Sequence, residues 1–156
     1  MKTPGQPQRF AILATLAALM LATATLAHDG VTNRGVLKRM QDMNAARATL
    51  GVLSDMMGAR AQFDKLRAKA ARKRLIATTR AIPSRFRRPQ SDPQSYARAT
   101  IWTRWDDFRA RARTAKRAAS ALDVDSLGDL RVTLPGLVMA CLECHKVYRA
   151  PFMARP

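Results

Sequence analysis

Between Ile101 and Leu122 the apolar residues Ile101, Trp105, Phe108, Ala112, Ala115, Ala119 and Leu122 recur at alternating steps of four and three. That spacing lines side chains along one side of an α-helix and scatters them over both faces of a strand. A stripe this long has to be covered by other apolar surface, which commits the chain to helices packed on helices. Three more segments carry the same signature. From about 34 to 57 the stripe is Val36, Met40, Met43, Leu50, Leu53 and Met57, with Gly58 as a stop. From about 59 to 82 it is Phe63, Leu66, Ala70, Ala77 and Ile82, and Pro83 is expected to end the helix. The long stripe itself belongs to a helix over about 94–122. The last helix, about 126–149, turns Leu127, Leu130, Leu134, Leu137, Cys141, His145 and Tyr148 inward, with Ser126 or Asp125 as N-cap. Pro135 should kink or divide it. Pro83, Pro89 and Pro93, with Ser84, Ser91 and Asp92, mark a loop between the two halves. No segment reads as a strand, and aromatic residues are only 6% of the chain. The expectation is an all-α, antiparallel four-helix bundle.

The first 27 residues read as an export signal. Lys2 and Arg9 precede a charge-free run, Phe10 to Leu21, and Thr25-Leu26-Ala27 offers a small-residue cleavage site. The run is short for a full membrane span, so cleavage after about Ala27 is expected, leaving residues 28–156 as one exported domain; in a bacterium that means the periplasm. The formal charge is +17, and loss of Lys2 and Arg9 leaves +15. Nucleic acid is a poor partner for an exported chain with no recognition motif. Acidic redox proteins or an anionic membrane surface fit better. The charge is uneven. No acid lies between Asp64 and Asp92, where Lys65, Arg67, Lys69, Arg72, Lys73, Arg74, Arg80, Arg85, Arg87 and Arg88 all occur. A solvated basic face that only keeps the protein soluble explains the charge nearly as well.

The two cysteines sit in Cys141-Leu-Glu-Cys144-His145. On a helix, both thiols and the imidazole project from one side, so the thiols can meet the two vinyl groups of a porphyrin and His145 can reach its iron. This is the pattern of covalent haem c attachment. A thioredoxin-type pair would sit near a βαβ unit, which is absent from the pattern. A zinc site needs about four ligands, and His28 is the one other histidine. A disulfide across two helical residues is strained.

A Cys-x-x-Cys-His at the end of a four-helix chain resembles the cytochrome c-prime family. The likeness rests on Cys141-Leu-Glu-Cys-His-Lys-Val-Tyr-Arg149, on Arg39-x-x-x-Met43 followed by Leu50, Leu53 and Met56, on Ala81-Ile-Pro83, and on Ile101-Trp102. It spans about residues 31 to 150. Pro135 departs from the family pattern. The resemblance implies a bundle with haem on its last helix, and it directs attention to the iron face opposite His145. One branch of the family blocks that face with an apolar residue and stays five-coordinate; the other places a methionine there. The deciding position, one turn after Arg39, is Met43. Met40 is the first alternative. Periodicity alone would leave Met43 a core residue among eight methionines.

The resemblance also implies that Arg39 pairs with a haem propionate and that Arg149 lies near His145; without it both would be ordinary exposed arginines. Trp102 and Trp105 are expected in the core, Trp105 above all, with Glu143 and Lys146 in solvent. The resemblance further implies that a homodimer, where one forms as it often does among relatives, uses the first two helices, a contact that the basic charge on helix two would oppose. No acid–base pair, nucleophile triad or phosphate loop is visible, so the expected role is a non-enzymatic one-electron carrier with His/Met ligation. A five-coordinate cytochrome binding nitric oxide or carbon monoxide is the alternative.

Overall fold

The computed structural model describes residues 30–151, so the expected export signal over 1–27 lies outside the described residues. Five helices follow in order: α1 (Arg34–Met57), α2 (Lys65–Phe86), the short α3 (Thr100–Thr103), α4 (Trp105–Ser120) and α5 (Leu127–Tyr148). The chain is an all-α four-helix bundle. α1 lies against α2 and α5, and α4 closes the ring against α2 and α5. Among the described residues no helix is long and apolar enough to cross a membrane.

Local chemistry sets the boundaries. Asn33 caps α1 by accepting from the N–H groups of Gly35 and Val36 at 2.9 and 3.1 Å. Helix α1 stops before Gly58, but the left-handed residue is Ala59, at φ 57°. The second helix therefore does not begin at Ala59. Residues 59–64 form a turn, and Asp64 opens α2 by accepting from Arg67 N–H at 3.0 Å. Pro83 lies inside α2 rather than ending it; it stands in the last turn, where one missing N–H frees one carbonyl and three residues remain to be wound. Pro135 leaves α5 undivided; it and Arg131, whose carbonyl it frees, both stand on the exposed side of the helix. The third helix starts later than 94. Residues 96–98 instead run beside the end of α5, with Arg98 N–H donating to Tyr148 O at 3.0 Å and Ala150 N–H to Tyr96 O at 2.8 Å. Arg104, at φ −123° and ψ 46°, separates α3 from α4, and α4 ends at Ser120 with Leu122 buried just beyond.

The largest departure concerns the face of α2. Leu66, Ala70 and Ala77 point outward, with Leu66 81% exposed, and the buried stripe is Ala68, Ala71, Leu75, Thr79 and Phe86. Alanines occupy both sides of this helix, so periodicity does not choose between them. Packing does: small residues on α2 meet the small face of α4, Ala112, Ala115 and Ala119, and the two helices approach closely.

The core has two parts. One cluster, at the end holding the α1–α2 turn, joins Leu53, Met56, Ala68, Ala71, Leu75, Ala119, Leu122, Val124, Leu130, Leu134 and Leu137. The other, at the opposite end, is built on Phe86, Ile101, Phe108 and Tyr148. Phe108 sits 5.2 Å from both the Phe86 and Tyr148 rings, edge-on to Tyr148.

Arg39 ties the second end together. It is 3% exposed, and its guanidinium donates to the carbonyls of Arg85 (2.8 Å), Arg88 (2.7 Å) and Gln90 (2.9 Å) and to Gln90 Oε1 (3.3 Å). Its cation lies 4.8 Å from the Phe86 ring centre and 5.4 Å from that of Trp102. Trp102 Nε1 donates to Phe86 O at 2.8 Å. The last carbonyls of α2, which no helical N–H can reach, are capped by two side chains from elsewhere. Asp92 completes the joint. Its carboxylate accepts from the N–H groups of Thr32, Asn33 and Gln94 at 2.9, 3.1 and 2.9 Å.

Two outcomes follow. Arg39→Ala should lower stability by about 2–4 kcal/mol, because it strands several part-buried carbonyls and empties a buried position, and Arg39→Lys should restore little of it, lacking the fork; thermal unfolding measures both. The hydrogen bonds to Asp92 hold its carboxyl below the ordinary aspartate value. Its stabilising share is therefore complete above that ordinary value and is lost as pH falls through the folded one. Asp92→Asn should flatten the acid limb of a stability–pH curve.

Candidate haem-attachment site

Helix α5 positions the Cys-x-x-Cys-His residues. Ser126 caps its start by accepting from Asp129 N–H at 3.1 Å, and Leu130, Leu134 and Leu137 anchor it in the first cluster. Cys141 packs on that cluster and Cys144 on the second, so the two thiols stand where the two halves of the core meet. Both are free and half-buried. Burial raises both thiols, Cys144 to about 11, with Arg111 partly opposing the rise. His145, expected on the inner face, is exposed. It lines an open cleft with Arg98, Leu142 and Arg149. The surrounding protein still pulls its imidazole below the ordinary histidine value, and the Arg149 charge adds to this.

Met43 stands on α1. It is half-buried and packs on the second cluster, the one Cys144 touches. Trp102 and Trp105 border the same cluster, Trp105 stacked at 5.6 Å on Phe108. Arg39 is not an ordinary exposed arginine, and the partners it has are carbonyls and Gln90. Arg149 is exposed; its guanidinium lies 5.2 Å from the Tyr96 ring centre, and its backbone bridges to Ala97. Glu143 and Lys146 are exposed, as expected.

Sequence reasoning missed a polar network beside Cys144. Tyr148 Oη donates to Asp107 Oδ2 at 2.6 Å, and Arg111 Nε donates to the same oxygen at 2.8 Å. Arg111 also reaches the Glu143 carbonyl at 3.2 Å. These hydrogen bonds hold the Asp107 carboxyl below its ordinary value, while burial and the Asp107 charge push Tyr148 up to about 12. The i,i+4 spacing of Asp107 and Arg111 was a readable signal; the distant Tyr148 was not.

The donor set suits a covalent haem. Two unpaired thiols stand one turn apart, an imidazole follows the second, and a thioether shares the apolar wall of Cys144. Residues 35–149 match the family described as Cytochrome C'. The chain belongs to the cytochrome c' family. Cytochrome c-556 of Agrobacterium fabrum (strain C58) is 29% identical over 141 residues, 88% of this chain and 95% of the relative. Two solved structures share the fold. One is cytochrome c556 of Rhodopseudomonas palustris, with TM-score 0.68 at 19% identity, covering 76% of this chain and 97% of that one. The other is a nitric oxide complex of an L16I mutant of cytochrome c prime from Alcaligenes xylosoxidans, with TM-score 0.67 at 21% identity, covering 75% and 94%. Members carry covalent haem c, so haem c is the cofactor of this chain, which has two cysteines, Cys141 and Cys144.

The raised thiol sets a chemical expectation. In haem-free protein, Cys144 should be alkylated slowly at neutral pH and faster as pH approaches about 11. Arg111→Gln removes a lowering charge and should slow the neutral-pH reaction further. Mass spectrometry of the labelled peptide reads both.

Proposed function

We propose that the chain is a periplasmic one-electron carrier in which Cys141 and Cys144 form the thioether links, His145 is one axial ligand and Met43 the other. The observation that carries this reading is the shared wall: Met43 from α1 and Cys144 from α5 pack on the same Phe86–Ile101–Phe108–Tyr148 cluster. When bound, haem c supplies an iron that takes and gives one electron. The protein's part is to hold the ligands still. Met43 offers a soft, neutral sulfur, which favours the ferrous state. Phe86, Phe108 and Tyr148 keep water from that side. The Arg39 clamp fixes the end of α2 that presents Phe86. The Tyr148–Asp107–Arg111 network fixes the end of α5 that follows His145. The charged N-terminal segment with its apolar run supports export, and the +15 formal charge left after its loss supports acidic redox partners. A homodimer through α1 and α2 would set the basic outer face of α2 close to a copy of itself, so self-association by that route should strengthen with salt.

The fold neighbour solved as a nitric oxide complex supports a second reading, a gas binder with Met43 off the iron or displaceable. Visible spectra of both oxidation states, with and without carbon monoxide, separate the two. A low-spin spectrum unmoved by carbon monoxide is expected. Met43→Ala should turn it high-spin and open it to carbon monoxide. A high-spin spectrum of the unaltered protein that shifts with the gas would reject the carrier, and Met43→Ala with no spectral change would remove Met43 as ligand.

A further inference from the structure

We infer that the outward face of α2 is a docking surface for an anionic lipid bilayer. The residues that point away from the core along this helix form an ordered pattern. Leu66, Lys73, Arg80 and Arg87 follow one another at seven-residue steps, and all four are exposed. Seven residues are close to two helical turns, so these side chains make one line about 31 Å long. Ala70, Ala77 and Ser84, also exposed, lie beside that line and form a low floor from which the long cationic side chains rise. Arg67, Arg74 and Arg88 are exposed along its flank.

The basic residues of this tract divide into two groups. Lys65 and Lys69 pair with Asp125 at 3.0 and 3.3 Å, Arg85 pairs with Asp42 at 2.7 Å, and Arg72 donates to Ser120 O at 2.7 Å. Those four are tied to the bundle. Lys73, Arg80 and Arg87, with Arg67, Arg74 and Arg88, make no ion pair among the described residues. Lys73, Arg80 and Arg87 stand about 10 Å apart along the axis, so they repel one another only weakly, and no acid among the described residues neutralises them.

The charge pattern identifies the occupant. A second copy of the chain would bring the same cationic line against itself. An acidic protein surface recognised specifically would call for cations interspersed with acids or fixed polar groups to set its register. Here one sign runs the length of the helix, no acid occurs between Asp64 and Asp92, and the floor between the cations is made of Ala70, Ala77 and Ser84. A bilayer rich in phosphate headgroups asks for no more than this. It presents a flat, uniformly negative field, and each Lys or Arg held near it strengthens partitioning about five-fold. Leu66, 81% exposed at one end of the line, can enter the headgroup layer. The attachment is peripheral, and it does not depend on which ligands bind the iron.

Co-sedimentation of the holoprotein with vesicles tests the assignment. Vesicles of phosphatidylcholine containing phosphatidylglycerol should retain the protein at low salt and release it at high salt, while pure phosphatidylcholine should not retain it. The combined Lys73→Gln, Arg80→Gln and Arg87→Gln variant should lose about a hundred-fold in partitioning. The combined Arg113→Gln, Lys116→Gln and Arg117→Gln variant removes the same charge from exposed positions on α4 and should keep partitioning within a few-fold. Circular dichroism melts confirm that both variants are folded, and the haem spectrum should be unchanged in both. Equal loss in the two variants would overturn the proposal, because binding would then follow net charge alone. So would failure to bind the anionic vesicles, or binding to poly-glutamate in their place.

Discussion

The buried guanidinium of Arg39 holds the part of the bundle on which the haem site depends. It has no acid to pair with. Its donors are spent on the carbonyls of Arg85, Arg88 and Gln90, groups left without helical partners where α2 ends. Burying a cation this deeply is expensive, and burial does pull the Arg39 pKa down. The Phe86 and Trp102 rings offset part of the cost by presenting their π faces. The outcome is a fixed junction of α1, the end of α2 and the start of α3. Phe86 and Trp102 belong to that junction, and so does the wall shared by Met43 and Cys144.

The opposite side of the site is held in a different way. Tyr148 closes the end of α5 by its ring on Phe108 and its hydroxyl on Asp107, and the backbone of residues 96–98 is laced to residues 148–150. His145 lies between this lacing and the two cysteines. The site is thus bracketed by two polar devices set in an otherwise apolar end of the bundle, one on α1 and one on α4. One presents Phe86 to the wall that Met43 and Cys144 share, and the other closes the helix end beyond Cys144.

Much of this was legible in the residues. The burial of Ile101, Phe108, Ala112, Ala115, Ala119 and Leu122 was read correctly because apolar residues fall on one side and charges on the other, although Arg104 splits the one expected helix into α3 and α4. The haem motif was legible because two thiols and an imidazole at that spacing have few other uses. Helix α2 was misread because alanines line both its faces, so a hydrophobic pattern existed on each. Pro83 was overvalued as a breaker, and Pro135 does not divide its helix. Each removes one hydrogen bond, and position decides whether that matters: one falls in a last turn, the other beside solvent. Arg39 looked like a residue waiting for an anion, since a sequence shows a charge and not the carbonyls that will surround it.

By itself the sequence determined the class of fold, the haem-attachment pattern of two thiols and an imidazole at Cys141, Cys144 and His145, and the concentration of positive charge between Asp64 and Asp92. These follow from spacing along a helix and from composition, both local properties. Tertiary structure decided which face of α2 is buried, which arginine is a clamp and which are free, and that Met43 and Cys144 share a wall. Those depend on groups far apart in the chain meeting at contact distance, where close packing of small residues and the need to satisfy buried carbonyls outweigh local pattern.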